Sequence, residues 1–487
     1  MSKLLPLPKP PKGVTFNLKC PSSVLYRDLS FHGNSSNVFR RVYGFDYSMD
    51  YVVYDAAELR WDISYNNPFN CLLSPELNAV EVAQKFITTT SRNARQLVHT
   101  AQIVSSPTRW RKSHLKKDLL EDLNLYWDAY ENHTTCLYPF WGVETLLTNS
   151  LIDELTKSGF QEEVDKGLPT FAVPSEPNWF TLEQQNLAIL KSRFDGSYEN
   201  KTTFDAATHH ADTFGFMSVI FNIGTPPSTE DIITKMKQIS EWEKSEMQSL
   251  DNFPKNIVKL GDLFRELAFW KNERQDAFAL ADTLATPMYK AVSELLKISI
   301  DLIYSMTRDE ITKALTGEEE LQLEEIKKRS TKYCRALIND TISFYEPTIN
   351  DEKKEEYVFK EGDVIQGASA SPGIVRGKVK IVALGEENPI IQPDEIIVTS
   401  MTRPELGAAL DVALAYVTDE GGRLCHAAIV SREKKKPCIV GARLCHAAIV
   451  AKAKGKPCVV GTRKATEVLR NGMLIEVDGS KGIVTVL

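Results

Sequence analysis

Two consecutive stretches of the chain read almost alike: residues 422–441 are GRLCHAAIVSREKKKPCIVG and residues 442–461 are ARLCHAAIVAKAKGKPCVVG. The 20-residue period sets His426 over His446, Cys425 over Cys445, Pro437 over Pro457 and Cys438 over Cys458. Each histidine stands directly before Ala-Ala-Ile-Val, which predicts the first turn of a helix. Backbone N–H groups are unpaired there and the helix end is effectively positive, so a phosphoryl group on or near the imidazole is stabilised. A neutral imidazole is nucleophilic near pH 7 and leaves readily once phosphorylated, the two properties a covalent phosphoryl carrier needs. Gly421 and Gly422, just upstream of His426, let the chain approach closely and take dihedrals closed to other residues.

Two blander roles compete with this one. A histidine at a helix start also serves as a hydrogen-bonded cap, and Cys425, His426, Cys445 and His446 together suggest metal ligands. Adjacent residues on one element point in different directions, and no short C-x-x-C pair is present, so the metal reading is the weaker. Each unit has room for one helix and one buried strand. The repeat is therefore either an extra helix-strand element or a tolerated duplication that bulges outward.

The elements that must hold these histidines follow from hydrophobic pattern. Strands are predicted at 375–382, 395–398, 414–417, 474–477 and 483–486, with a short helix over 404–412 after Thr402, and turns at Asp478-Gly479-Ser480 and Lys481-Gly482. Residues 367–487 thus form a compact β/α domain. Residues 71–345 read as a mainly helical body. Ser74 is a cap with Pro75 at the first helical position, Ser228 and Asp231 open another helix, Thr307 and Glu310 form a capping box, and 256–305 is one or two long helices. Residues 1–70 read as an extended or mixed segment, a Pro- and Lys-rich arm followed by short strands around Val52, Val53 and Tyr54 and around Trp61 and Ile63. The charged run 351–356 marks a linker over 346–366, and all seven tryptophans precede it, which predicts two separately composed cores. The fold class expected is multidomain α+β: a large, mainly helical N-terminal domain and a C-terminal β/α domain.

Length and composition agree. A chain of 487 residues exceeds a single core, and 43% hydrophobic with 25% charged residues suits a globular protein. A net charge of -7 disfavours a general nucleic-acid binder. The N-terminal stretch lacks the apolar run of a secretion signal, and no segment reaches the roughly 20 apolar residues of a spanning helix, so a cytoplasmic protein with no membrane partner is expected. The eight cysteines are then reduced thiols.

The stretch from Thr418 to Glu433, TDEGGRLCHAAIVSRE, resembles the active-site motif of the phosphohistidine swivelling domain of PEP-utilising enzymes, a family that includes pyruvate phosphate dikinase, PEP synthase and rifampicin phosphotransferase. Ser371-Pro372-Gly373-Ile374-Val375-Arg376-Gly377-Lys378-Val379 resembles the strand-turn opening of that domain, and Thr402-Arg403-Pro404-Glu405 its short helix. Lys456-Pro457-Cys458-Val459-Val460-Gly461-Thr462 and Asp478-Gly479-Ser480-Lys481-Gly482 resemble its closing strands. The resemblance implies that His426 or His446 is phosphorylated, that Thr418, Gly421, Gly422 and Arg423 surround the phosphoryl group, and that the domain swings between two sites. His426 is favoured because the full Thr-Asp-Glu-Gly-Gly approach precedes it, whereas His446 has the better match afterward. More loosely, 210–216, 224–231 and 265–315 resemble the helical region before the swivelling domain in rifampicin-phosphotransferase-like proteins, which implies an acceptor pocket near His209 and His210.

The family's ATP-grasp domain, with its glycine-rich phosphate loop, is not recognisable before residue 346, and no PEP-binding (β/α) barrel is read after the swivelling domain. The reading expected is a component of a split dikinase-like phosphotransferase. A separate ATP-grasp subunit supplies ATP and Mg, this chain binds no cofactor or metal of its own, and a small organic molecule is the acceptor. Two other readings stay open: a catalytically inactive binding or regulatory subunit that keeps the fold, and a self-contained enzyme whose helical body has its own ligand site.

Overall fold

The computed structural model describes residues 15–19, 22–43, 51–55, 60–64, 78–110, 114–166, 168, 170–171, 173–194, 198–219, 221–239, 248–329, 333–345, 359–367, 373–383, 389–400, 409, 412–419, 438–439, 465–479 and 481–487. The chain divides into two compact units. The first comprises Met1–Val143, Val219–Thr225 and Glu273–Asp351, the second Glu144–Ser218, Pro226–Asn272 and Glu352–Leu487. The division runs through the stretch 71–345, read from sequence as one helical body. Among the described residues the helices are α1 (Val24–Gly33), α2 (Ser36–Tyr43), α3 (Ala79–Val104), α4 (Leu115–Thr134), α5 (Pro139–Lys157), α6 (Gln161–Lys166), α7 (Trp179–Phe194), α8 (Lys201–Phe214), α9 (Thr229–Gln238), α10 (Lys255–Leu296), α11 (Ile300–Tyr304), α12 (Arg308–Thr316), α13 (Leu323–Arg329) and α14 (Ala465–Val468). None of these is long and apolar enough to cross a membrane. The α+β class is the one expected.

In the first unit, β1 (Thr15–Lys19), β2 (Tyr51–Asp55), β3 (Arg60–Ser64), β4 (Cys334–Ile338) and β5 (Thr341–Tyr345) form an antiparallel sheet in the order β1-β3-β2-β4-β5. β2 and β3 lie where their β-branched and aromatic residues predict. The β4–β5 hairpin does not, since it closes the stretch read as helical. Its two-residue turn, Asn339-Asp340, has φ of 47° and 60° at the two positions, the left-handed backbone that a tight hairpin demands and that Asn and Asp tolerate. Helices α1 and α2 likewise replace part of the stretch read as extended. Ser23 caps α1 by accepting from the Tyr26 N–H at 3.0 Å. Asn78 caps α3, accepting from the Val80 and Glu81 N–H groups, while the expected Ser74 and Pro75 lie outside the described residues.

Buried polar pairs fix these elements to one another. Asp28 on α1 pairs with Arg335 on β4 and also accepts from the Arg308 N–H at 2.9 Å, where α12 begins. Gly33 is where α1 meets α4, and a Cβ there would overlap Thr134 Oγ1 and the Glu131 carbonyl. The predicted capping box of Thr307 and Glu310 starts α12, and Gly317 ends it at φ 80°.

Asp282 on α10 is 2% exposed and accepts from the Tyr126 hydroxyl at 3.1 Å, the Tyr130 hydroxyl at 3.4 Å and the Asn222 N–H at 3.3 Å. Burial outweighs these bonds and pushes its carboxyl up to about 7. Phe221, beside Asn222, stacks on Tyr26 at a ring separation of 3.9 Å.

In the second unit, α7, α8 and α9 pack through Leu187, Leu190, Phe194, Ala207, Ile232 and Met236. The expected capping box of Ser228 and Asp231 starts α9. The C-terminal part of this unit is a seven-stranded sheet of β6 (Val364–Gln366), β7 (Ile374–Ile381), β8 (Glu395–Thr399), β9 (Ala415–Thr418), β10 (Cys438–Ile439), β11 (Leu474–Asp478) and β12 (Ile483–Val486), in the order β10-β9-β8-β7-β11-β12-β6. Pairing is parallel from β7 to β10 and antiparallel across β7-β11-β12-β6. The five strands predicted from sequence are present within a residue or so of their expected limits. Part of the expected linker, 346–366, belongs to this sheet instead: β6 pairs with β12, and Phe359, 8% exposed, donates its N–H to the Val468 carbonyl at 3.0 Å. Three residues of strand are too few for alternation to register.

The raised Asp282 pKa makes a pH prediction. Its contribution to stability is complete below the ordinary carboxyl value and is lost progressively as pH rises from there through about 7, because the unfolded chain ionises first. Asp282→Asn should remove that slope, so that wild type and variant unfold at similar denaturant concentrations near pH 4 and the variant gains on wild type by on the order of a few kcal/mol at pH 8. Parallel pH profiles would contradict a protonated buried carboxyl.

Candidate functional site

Parallel pairing of β7, β8, β9 and β10 sends all four strands out at the same edge of the sheet, the edge at which open α/β sheets bind ligands. At that edge Thr399 closes β8 opposite Thr418, which closes β9. The edge is polar, with Thr399, Ser400, Thr418 and Asp419 all buried. The Asp419 N–H donates to the Thr399 carbonyl at 3.1 Å. Its carboxylate accepts from the Thr466 N–H at 3.3 Å and from the Thr466 hydroxyl, at the start of α14, which packs on β8 and β9.

Thr418, expected beside the phosphoryl group, is buried as the last residue of β9. Gly421, Gly422, Arg423, His426 and His446 lie outside the described residues, as does most of the predicted 404–412 helix. What is described of the repeat is β10, the first copy's Cys438–Ile439, which pairs in parallel with Tyr416 and Val417 of β9.

His209 and His210 on α8 do not share a cavity. His209 is exposed, whereas His210 is 1% exposed, with Nδ1 2.7 Å from Asn186 Oδ1 and Nε2 3.6 Å from Glu183 Oε1. At 3.6 Å the second contact is electrostatic, too long for a hydrogen bond. Burial raises the Glu183 carboxyl, but His210, Lys235 and Gln184 together outweigh it and hold the group below the ordinary carboxylate range. Glu183, His210, Phe214, Ser218 and Lys235 line a cavity of about 20 Å³, which holds about one water and no organic acceptor. Among the described residues no cluster of His, Cys, Asp or Glu can hold a metal ion.

The family profile described as "PEP-utilising enzyme, mobile domain" matches residues 391–444 and again 441–482, so that one match ends and the next begins at the junction between the two copies. The C-terminal part of this chain is a mobile domain of the PEP-utilising enzyme family. A probable phosphoenolpyruvate synthase of Archaeoglobus fulgidus is 44% identical over 142 residues, 28% of this chain and 16% of that protein. The phosphoenolpyruvate synthase of Pyrococcus furiosus is 39% identical over 138 residues, 27% of this chain and 14% of the relative. The uncharacterized phosphotransferase YvkC of Bacillus subtilis is 36% identical over 140 residues, 28% of this chain and 14% of the relative. The chain thus spans less than a fifth of the length of these curated relatives.

Within the mobile domain, sequence reading quoted Asp419 as part of the motif without a role, and missed Thr466 and Ser400. The carboxylate directly after the β9 strand pattern is the signal that marks Asp419; Thr466 has none, because its partner is 47 residues away. Gly377, in the quoted opening motif, also acquires a reason. It lies at the middle of β7, where a Cβ would come within 2.8 Å of the Asp394 carbonyl and 3.0 Å of side-chain carbons of Ile396 and Leu414. Gly377→Ala is expected to cost about 1–3 kcal/mol by overpacking, seen as faster hydrogen exchange of the β7 and β8 amides; unchanged protection would refute this close approach.

Proposed function

We propose that the mobile domain carries a phosphoryl group on a histidine of the duplicated segment, as one component of a split dikinase-like phosphotransferase. A separate ATP-binding partner with Mg is the donor and a small organic molecule the acceptor. In the first step an imidazole nitrogen attacks phosphorus, and a P–N bond forms as the donor's P–O bond breaks. In the second, an acceptor oxygen attacks the same phosphorus and the P–N bond breaks, returning the neutral imidazole. Both steps need positioning and charge compensation more than covalent help from the protein. Arg423, Arg432 and Arg443 are the nearby cations in sequence.

The observation that carries the choice of histidine is the identity of β10. The strand beside β9 is Cys438–Ile439 of the first copy, which supports His426, the histidine that precedes that strand, as the carrier. The similarity to phosphoenolpyruvate synthases and to a phosphotransferase supports the chemistry. The duplication itself favours a second reading, a non-catalytic binding or regulatory subunit, because a carrier needs only one histidine.

Incubation with a cognate ATP-grasp protein and labelled ATP should give acid-labile, base-stable label on histidine. His426→Ala should abolish the label and His446→Ala only weaken it. No label with wild type supports the non-catalytic reading, and loss of label only in His446→Ala reverses the assignment.

A further inference from the structure

Between α8 and α9 the chain turns on two consecutive residues, Phe221 and Asn222, with φ of 55° and 61°. Neither is glycine, so each holds the left-handed backbone at a cost, and such a turn persists only where its surroundings over-determine it. Contacts within the first unit do so. The Ser23 N–H donates to the Phe221 carbonyl at 3.2 Å, Asn222 Nδ2 to Ser23 Oγ at 3.4 Å and the Asn222 N–H to Asp282 Oδ2 at 3.3 Å, while the Phe221 ring stacks on Tyr26. The three bonds lie at or beyond the long end of the usual range.

The other two partners of Asp282, Tyr126 and Tyr130, are fully buried on α4, whereas Phe221 and Asn222 are partly exposed and Ile223 is 40% exposed. The turn is therefore the cover over the carboxyl that reaches solvent, and lifting it hydrates Asp282. An ionised carboxylate gains most from that water, so ionisation and opening favour each other, and relief of the two left-handed residues adds to opening. The titratable groups that face the carboxyl are Tyr126 and Tyr130, Tyr289 on α10 itself and Tyr304 on α11. Burial raises all four hydroxyls, which leaves Asp282 as the one among them that ionises near neutral pH. We propose that the turn Phe221–Asn222 is a pH-sensitive clasp over Asp282, shut while that carboxyl is protonated and opening locally, ahead of global unfolding, once it ionises. The clasp does not depend on the carrier reading.

The test is amide hydrogen exchange of the full chain, read as opening equilibria after division by the intrinsic exchange rate at each pH. The Ser23 and Asn222 amides report the clasp, and interior amides of α10 report global unfolding. In wild type the clasp should open at least about tenfold more readily than α10, and its opening equilibrium should rise by up to about tenfold per pH unit from about pH 5 to 7 and then level off. Asp282→Asn should flatten that rise. Phe221→Ala, which removes the stacked ring, should raise the opening equilibrium by about tenfold at every pH and keep the slope. A flat wild-type profile, a slope that survives in Asp282→Asn, or clasp amides that open only together with those of α10 overturns the proposal. If Asp282→Asn does not fold, Phe221→Ala decides with the wild type, because an opening equilibrium unchanged by loss of the ring also overturns the clasp.

Discussion

Parallel pairing is the constraint on which the C-terminal sheet depends. Because β7, β8, β9 and β10 run the same way, each must be followed by a connection that begins at one shared edge, and polar residues at consecutive strand ends are brought together there. Thr399 and Thr418 meet in register because Ile396 pairs with Ala415 three residues earlier, with Ile397, Val398, Tyr416 and Val417 buried between. Asp419 follows directly on that ladder, and its N–H bond to the Thr399 carbonyl continues it by one residue. The antiparallel half, β7-β11-β12-β6, meets a different requirement by covering the other side of β7 with strands that need no crossover helix.

How much of this was legible in the sequence depended on whether the deciding contacts were local. The strands at 395–398 and 474–477 announce themselves as apolar runs bounded by turns, and the caps at Ser228 and Thr307 are read from a partner three residues on. The β4–β5 hairpin pairs β4 with β2, 283 residues away between Ala336 and Val53, and nothing within residues 334–345 reveals that partner. β6 fails for the same reason at shorter range. Its three residues gain strand character only from β12.

The site was legible to the same extent and for the same reason. A histidine preceded by two glycines and followed by Ala-Ala-Ile-Val has a local chemical logic, whereas the burial of Thr418 and the grip of Asp419 on Thr466 exist only once β8, β9 and α14 have packed. The acceptor pocket expected near His209 and His210 was read from adjacency in sequence. Adjacent residues on a helix point about 100° apart, so one of them meets Glu183 and Asn186 in the core while the other faces solvent.

The duplication is best understood through what it costs. Lengthening a connection by one 20-residue unit costs only on the order of 1 kcal/mol in closure entropy, because that term rises with the logarithm of length. Such a cost is small against the stability of a domain, so the second copy can persist without being used. The second histidine's presence therefore says nothing about its participation. β9 offers one free edge for a parallel strand; Cys438–Ile439 occupies it, and a single edge cannot accept the corresponding residues of both copies at once.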